Sequence, residues 1–110
     1  DSTEGALASA VTRAGTIVPS DMDVFTFDGQ FGEHVVVNFA KTNGGNSFSP
    51  QVVIFNPNGT VAKDSGETNA GGSLEIPRLT VAGRYLVLIR DSSGHVAGSY
   101  NLTFFGTPGR

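Results

Sequence analysis

The 110-residue chain has no cysteine, no tryptophan and only two lysines, Lys41 and Lys63. Without cysteine there is neither a disulfide framework nor a thiolate zinc site, so stability must come from packing. Without tryptophan, sugar stacking would fall to phenylalanine or tyrosine faces. Charged residues make up 15% of the chain, against roughly 25% in an average soluble domain. The net charge is −3 and Arg13, Arg78, Arg84 and Arg90 are scattered. No basic stripe exists to neutralise phosphates, which excludes a nucleic-acid partner. No apolar run approaches the roughly 20 residues of a membrane-spanning helix. Membrane insertion is therefore not expected. No signal peptide is visible, and the chain reads as an excised module whose export is inferred.

What is present fits a β protein. A chain of this length with 38% hydrophobic residues suits one domain with one core. Fifteen glycines, with abundant Thr, Ser and Asn, suit a turn-rich domain of a secreted or cell-surface protein. It is expected as a monomer.

Residues 1–14 are the only stretch with helical leanings, through Glu4, Ala6, Leu7, Ala8 and Ala10. A helix there is too short to be stable alone, so this segment is expected as a lead-in to a module spanning 15–110. From Gly15 the apolar period becomes two. Phe25 and Phe27 share a face, as do Val35, Val37 and Phe39, and Val52 and Ile54 form the next core pair. Asn56-Pro57-Asn58-Gly59 is a strong turn signal. Val61 to Asp64 is a short strand. Leu74 and Ile76 begin another, whose end Pro77 demotes to an edge or a bulge. Tyr85, Val87 and Ile89 follow, then Tyr100, Leu102 and Phe104. Seven to eight short strands without a convincing helix predict an all-β antiparallel sandwich or small barrel.

The punctuation of these strands resembles a known family. Gly15-Thr16-Ile17, Asp21-x-Asp23-x-Phe25-x-Phe27, Val52-x-Ile54-x-Asn56-Pro57-Asn58-Gly59, Gly83-Arg84-Tyr85-x-Val87-x-Ile89 and Gly98-x-Tyr100-x-Leu102 occur in that order. Together they resemble the bacterial pre-peptidase C-terminal domain, related to the collagen-binding domains of clostridial collagenases. The resemblance implies a jelly-roll-like sandwich attached to secreted hydrolases or surface proteins, serving as an anchoring, solubility or spacer module without catalysis. The collagen-binding branch uses a tyrosine-rich face. This chain has only Tyr85 and Tyr100, both with inward parity.

Asp21 and Asp23 share the parity of Phe25 and Phe27 and therefore face the core. A buried carboxylate needs a cation, an arginine or N–H donors. Calcium suits such oxygen ligands, and the resemblance adds Asp1 to Asp21 and Asp23 as its holders. The alternative is that Asp21 stabilises a turn and Asp23 bonds the backbone.

Phe31 and Phe48 in loops, with Phe55 and Phe105 on outward parities, are the candidate stacking residues for a polymer. Packing under loops is their other role. Val36, Val53, Phe55, Leu86 and Leu88 also have outward parity, which predicts a sheet covered on its second side by Leu7 and Val11 or by a neighbouring domain; uncovered, that patch is the default partner site. Asp91, Ser92, Ser93 and His95 crowd one loop, but a catalytic triad is assembled from separate elements. The sequons at Asn58 and Asn101 carry weight only in a eukaryotic secretory route.

Two functions follow. One is a carbohydrate- or protein-binding module that anchors its parent to an insoluble polymer. The other is a structural spacer with no ligand of its own. A solvent-facing row of aromatic and polar groups would favour the first, and an apolar outer sheet without a groove the second.

Overall fold

The period-two alternation becomes two sheets packed face to face. The structure, a computed structural model, describes residues 2–6, 11–17, 22–43, 48–68, 70–92 and 96–107. Its strands are β1 (Ser2–Ala6), β2 (Val11–Ile17), β3 (Met22–Gly29), β4 (His34–Asn43), β5 (Pro50–Phe55), β6 (Val61–Asp64), β7 (Gly71–Ile76), β8 (Gly83–Asp91) and β9 (Gly98–Thr107). One sheet has the order β1-β3-β8-β5-β6 and the other β2-β9-β4-β7. All pairings are antiparallel except β1 with β3, which is parallel.

The expected sandwich is present, with the lead-in as the main difference. Its described parts form β1 and the start of β2, which bring the described strands to nine, and Leu7, Ala8 and Ala10 lie outside the described residues. The reason is partnership. A short isolated helix is marginal, whereas β2 gains a continuous register against β9 from Val11↔Phe104 to Ile17↔Gly98.

The core lies between the sheets, where Phe25, Phe27, Val52, Ile54, Tyr85, Val87 and Ile89 meet Val35, Val37, Leu74, Tyr100, Leu102 and Phe104. Phe27 stacks on Tyr85 at 5.0 Å between centroids and reaches across to Phe104 at 4.7 Å. Each such fully buried apolar side chain contributes about 1.5–3 kcal/mol of transfer free energy. The Asn56–Gly59 turn closes with the Gly59 N–H donating to the Asn56 carbonyl at 2.9 Å. Gly59 takes φ of 93°, a conformation that favours glycine. The edge strand β7 stops immediately before Pro77, as the sequence predicts.

Tyr85 ties the start of β8 to the chain before it. Its buried hydroxyl donates to the Val81 carbonyl at 2.7 Å, a link of the tyrosine-corner kind found in Greek-key sandwiches.

Candidate functional site on the four-stranded sheet

The outer face of β2-β9-β4-β7 carries mostly small and polar side chains. Pairing aligns Thr12, Thr103, Asn38 and Ser73 in one row and Ala14, Asn101, Ala40 and Gly71 in the next. The Thr12 and Thr103 hydroxyls share a 2.7 Å hydrogen bond, and Thr16 and Ser99 one of 3.2 Å. These bonds hold the rim side chains in fixed rotamers. Between β9 and β4 lies a shallow open depression of about 120 Å³, lined by Asn38, Phe39, Ala40, Asn101 and Thr103. The small side chains of Ala14 and Ala40 flank Asn101 and leave its amide accessible. Among the described residues the Asn38 and Asn101 amides have no hydrogen-bond partner, so both keep donors and acceptors for a ligand.

Gly71 keeps the edge of this face low. Its φ is 138°, and a Cβ there would lie 2.2 Å from the Phe39 carbonyl oxygen. At the other end, Phe105 stands beside Val36 with 38% of its surface exposed. Next to it the His34 Nε2 lies 2.6 Å from a Glu75 carboxylate oxygen.

The four candidate phenylalanines do not assemble into one platform. Phe105 alone lies on the polar face. Phe31 is 67% exposed in the β3–β4 loop, with the Arg78 guanidinium 6.0 Å from its ring centroid. Phe55 is half-buried on the outer side of the other sheet, opposite Leu86. Phe48 is a correction, for it is fully buried and cannot present a stacking surface. Its ring occupies the space above Gly98, where a Cβ would lie 2.2 Å away, and Lys41 caps its carbonyl at 3.1 Å. The loop turns Phe48 inward because the Ser49 N–H is fastened to Asp91 at 3.0 Å.

The outward apolar residues also divide differently. Val53, Phe55, Leu86 and Leu88 share the five-stranded sheet with Val24, whereas Val36 belongs to the four-stranded one. Val11 is also in the four-stranded sheet and is not a cover for that patch, and Leu7 lies outside the described residues.

No protein-family model matches the sequence, and no curated protein matches it. Solved structures do match in fold. The pre-peptidase C-terminal domain of collagenase from Bacillus anthracis superposes with a TM-score of 0.66 at 14% identity, covering 94% of this chain and 97% of its own. The chain has the fold of a pre-peptidase C-terminal domain. The periplasmic lysozyme inhibitor PliG of Aeromonas hydrophila has a TM-score of 0.69 at 14% identity, covering 96% of this chain and 100% of its own. CorA, a surface-associated copper-binding protein of Methylomicrobium album BG8, has a TM-score of 0.59 at 8% identity, covering 94% and 99%.

Within the pre-peptidase C-terminal fold, the calcium expectation falls on Asp1, Asp21 and Asp23. Asp1 and Asp21 lie outside the described residues. Asp23 faces inward as its parity predicts, is 6% exposed and accepts the Tyr100 hydroxyl at 2.5 Å. Among the described residues no group of three or more His, Asp or Glu side chains is placed to hold a metal. The described part of the fold thus supplies one carboxylate, engaged across the sandwich.

Sequence reasoning missed the polar face. Its signal was the outward alternation Ser99, Asn101, Thr103 on β9 and Asn38, Ala40 on β4. Those sets meet only through the β4–β9 pairing, which periodicity does not encode. The Asp91 carboxylate, read with its loop as a solvated turn, is instead buried and accepts the Ser49 and Val96 N–H groups at 3.0 and 3.3 Å. His95 lies outside the described residues.

Proposed function

We propose that the chain is a non-catalytic accessory module of a secreted or cell-surface bacterial protein. It anchors its parent to an insoluble polymer through the outer face of the four-stranded sheet. The observation that carries this reading is the row Ser99, Asn101, Thr103 and Phe105 on β9, beside the depression over Ala40. That row combines hydroxyls, a free amide and an aromatic ring on one central strand, groups that can hydrogen-bond to and stack on a polymer. The fold neighbours support the setting. One is a domain of a collagenase, one a periplasmic inhibitor and one a surface-associated protein.

Catalysis has little support. The His34–Glu75 pair sits on an open face, with side chains 43% and 58% exposed. General acid–base work at that pair would need a pocket that excludes water and positions a substrate.

Calcium is a second component of the reading. Asp1, Asp21 and Asp23 would hold it, and the ion would offset carboxylate repulsion where the lead-in meets β3. The spacer reading is favoured by a different observation, the apolar outer face of the five-stranded sheet around Leu86 and Leu88. A neighbouring domain of the parent chain would cover it.

The test is retention of the purified chain on cellulose, xylan, chitin, alginate gel and fibrillar collagen, each with calcium and with chelator. Retention on one of them supports anchoring, and loss under chelator ties calcium to the binding state. Retention on none leaves the spacer reading.

A further inference from the structure

The binding face is almost free of charge, and that narrows the polymer. Among the described residues its two ionisable side chains, His34 and Glu75, sit together at one end and lie 2.6 Å apart. The cations nearest in sequence turn away from the face. Lys41 donates to the Phe48 carbonyl at 3.1 Å, and the Arg13 guanidinium lies over the Phe25 ring at 5.2 Å. The outer face of the five-stranded sheet has the opposite character, with Asp28 opposite Arg84 and Arg90 opposite Gln51. Among the described residues, arginines with outward parity lie on the five-stranded sheet, around its apolar patch.

An acidic polymer is held by arginine or lysine directed at its carboxylates or sulfates, and among the described residues none on this face is directed outward. Proline-rich protein chains are held in grooves lined by several aromatic rings, and this face has one, Phe105. What the face does offer is two free amides, each both donor and acceptor, a row of hydroxyls and one exposed ring. That set matches the hydroxyl edges and apolar ring faces of neutral sugars. Outward residues recur about every 6.7 Å along a strand, so Asn101 and Phe105 stand roughly 13 Å apart. The site therefore spans several sugar units.

We infer that the outer face of the four-stranded sheet binds an uncharged polysaccharide. The chain lies along β9, with one sugar ring over Phe105 and its neighbours hydrogen-bonded to Thr103, Asn38 and Asn101. This deepens the anchoring reading and rests on it.

The experiment compares the intact chain on neutral polymers (cellulose, xylan, chitin), an acidic one (alginate gel) and fibrillar collagen, alongside Asn101→Ala and Ala40→Asp. Both substituted positions are exposed, and unchanged thermal melting confirms intact folding in the same preparations. The expected result is retention on a neutral polysaccharide, none on alginate or collagen, and at least tenfold weaker retention for each variant. Retention on alginate or collagen alone overturns the inference while leaving anchoring in place. So does neutral-polymer retention indifferent to both substitutions, which would put the binding surface elsewhere. Retention on nothing overturns the inference and the anchoring reading together.

Discussion

The Tyr100 hydroxyl donates a 2.5 Å hydrogen bond to the Asp23 carboxylate, joining the four-stranded sheet to the five-stranded one through the interior. Room for it comes from Gly15, the pairing partner of Tyr100, since a Cβ at Gly15 would lie 2.3 Å from that hydroxyl. Tyr100→Phe leaves a buried carboxylate without this donor, and stability should fall by about 2–3 kcal/mol in urea unfolding. Gly15→Ala should cost a further comparable amount, about 1–3 kcal/mol, by forcing the ring aside.

Phe48 and Phe31 look alike in sequence, as loop phenylalanines, and differ entirely in burial. Phe48→Ala opens a cavity in the core and should cost about 3–5 kcal/mol. Phe31→Ala, at an exposed loop position, should stay within about 0.5 kcal/mol of the parent. Denaturant midpoints of the two variants check the contrast directly.

The Tyr85 corner has an alkaline signature. Burial first raises the Tyr85 phenol above its usual 10.0, with the Glu33 charge acting in the same direction. The folded state thus favours the neutral phenol, so its contribution is full below pH 10 and fades as pH rises through the folded value. Tyr85→Phe removes the bond, costing about 1 kcal/mol at neutral pH. It should also flatten the loss of stability above pH 10, as read by melting temperature against pH.

Asp64 gives the acidic counterpart. The Gln51 amide, the Gly66 N–H and the Arg90 charge hold its carboxyl below the usual 3.8, with the Gln51 bond as the largest cause. Its contribution is present above the unfolded value and is lost as pH falls through the lower folded one. Gln51→Ala should bring the Asp64 titration back up toward 3.8, measured by carboxyl-carbon NMR shifts.

The sandwich was legible because core positions such as Val35, Val37, Val52, Ile54, Val87 and Ile89 recur at period two between glycine- and proline-marked turns. Pairing was not legible. Alternation tells which residues share a face of a strand but not which strands are neighbours. That is why Val36 was grouped with Leu86 and Leu88, although the three lie on two different sheets. In the lead-in, helix propensity is a weak prior, and its described parts pair as strands, Ser2–Ala6 with β3 and the residues from Val11 with β9. Phe48 misled because a loop position carries no parity, and its burial comes from the vacancy at Gly98.

The account turns on which face of the sandwich binds. The decisive measurement is retention of Ala40→Arg and Leu86→Arg on whichever polymer retains the parent chain. Both place a long cation on an exposed strand position, one on each outer face. The account predicts that Ala40→Arg abolishes retention while Leu86→Arg keeps it. Loss of retention in Leu86→Arg with full retention in Ala40→Arg would contradict it and move the binding surface to the five-stranded sheet.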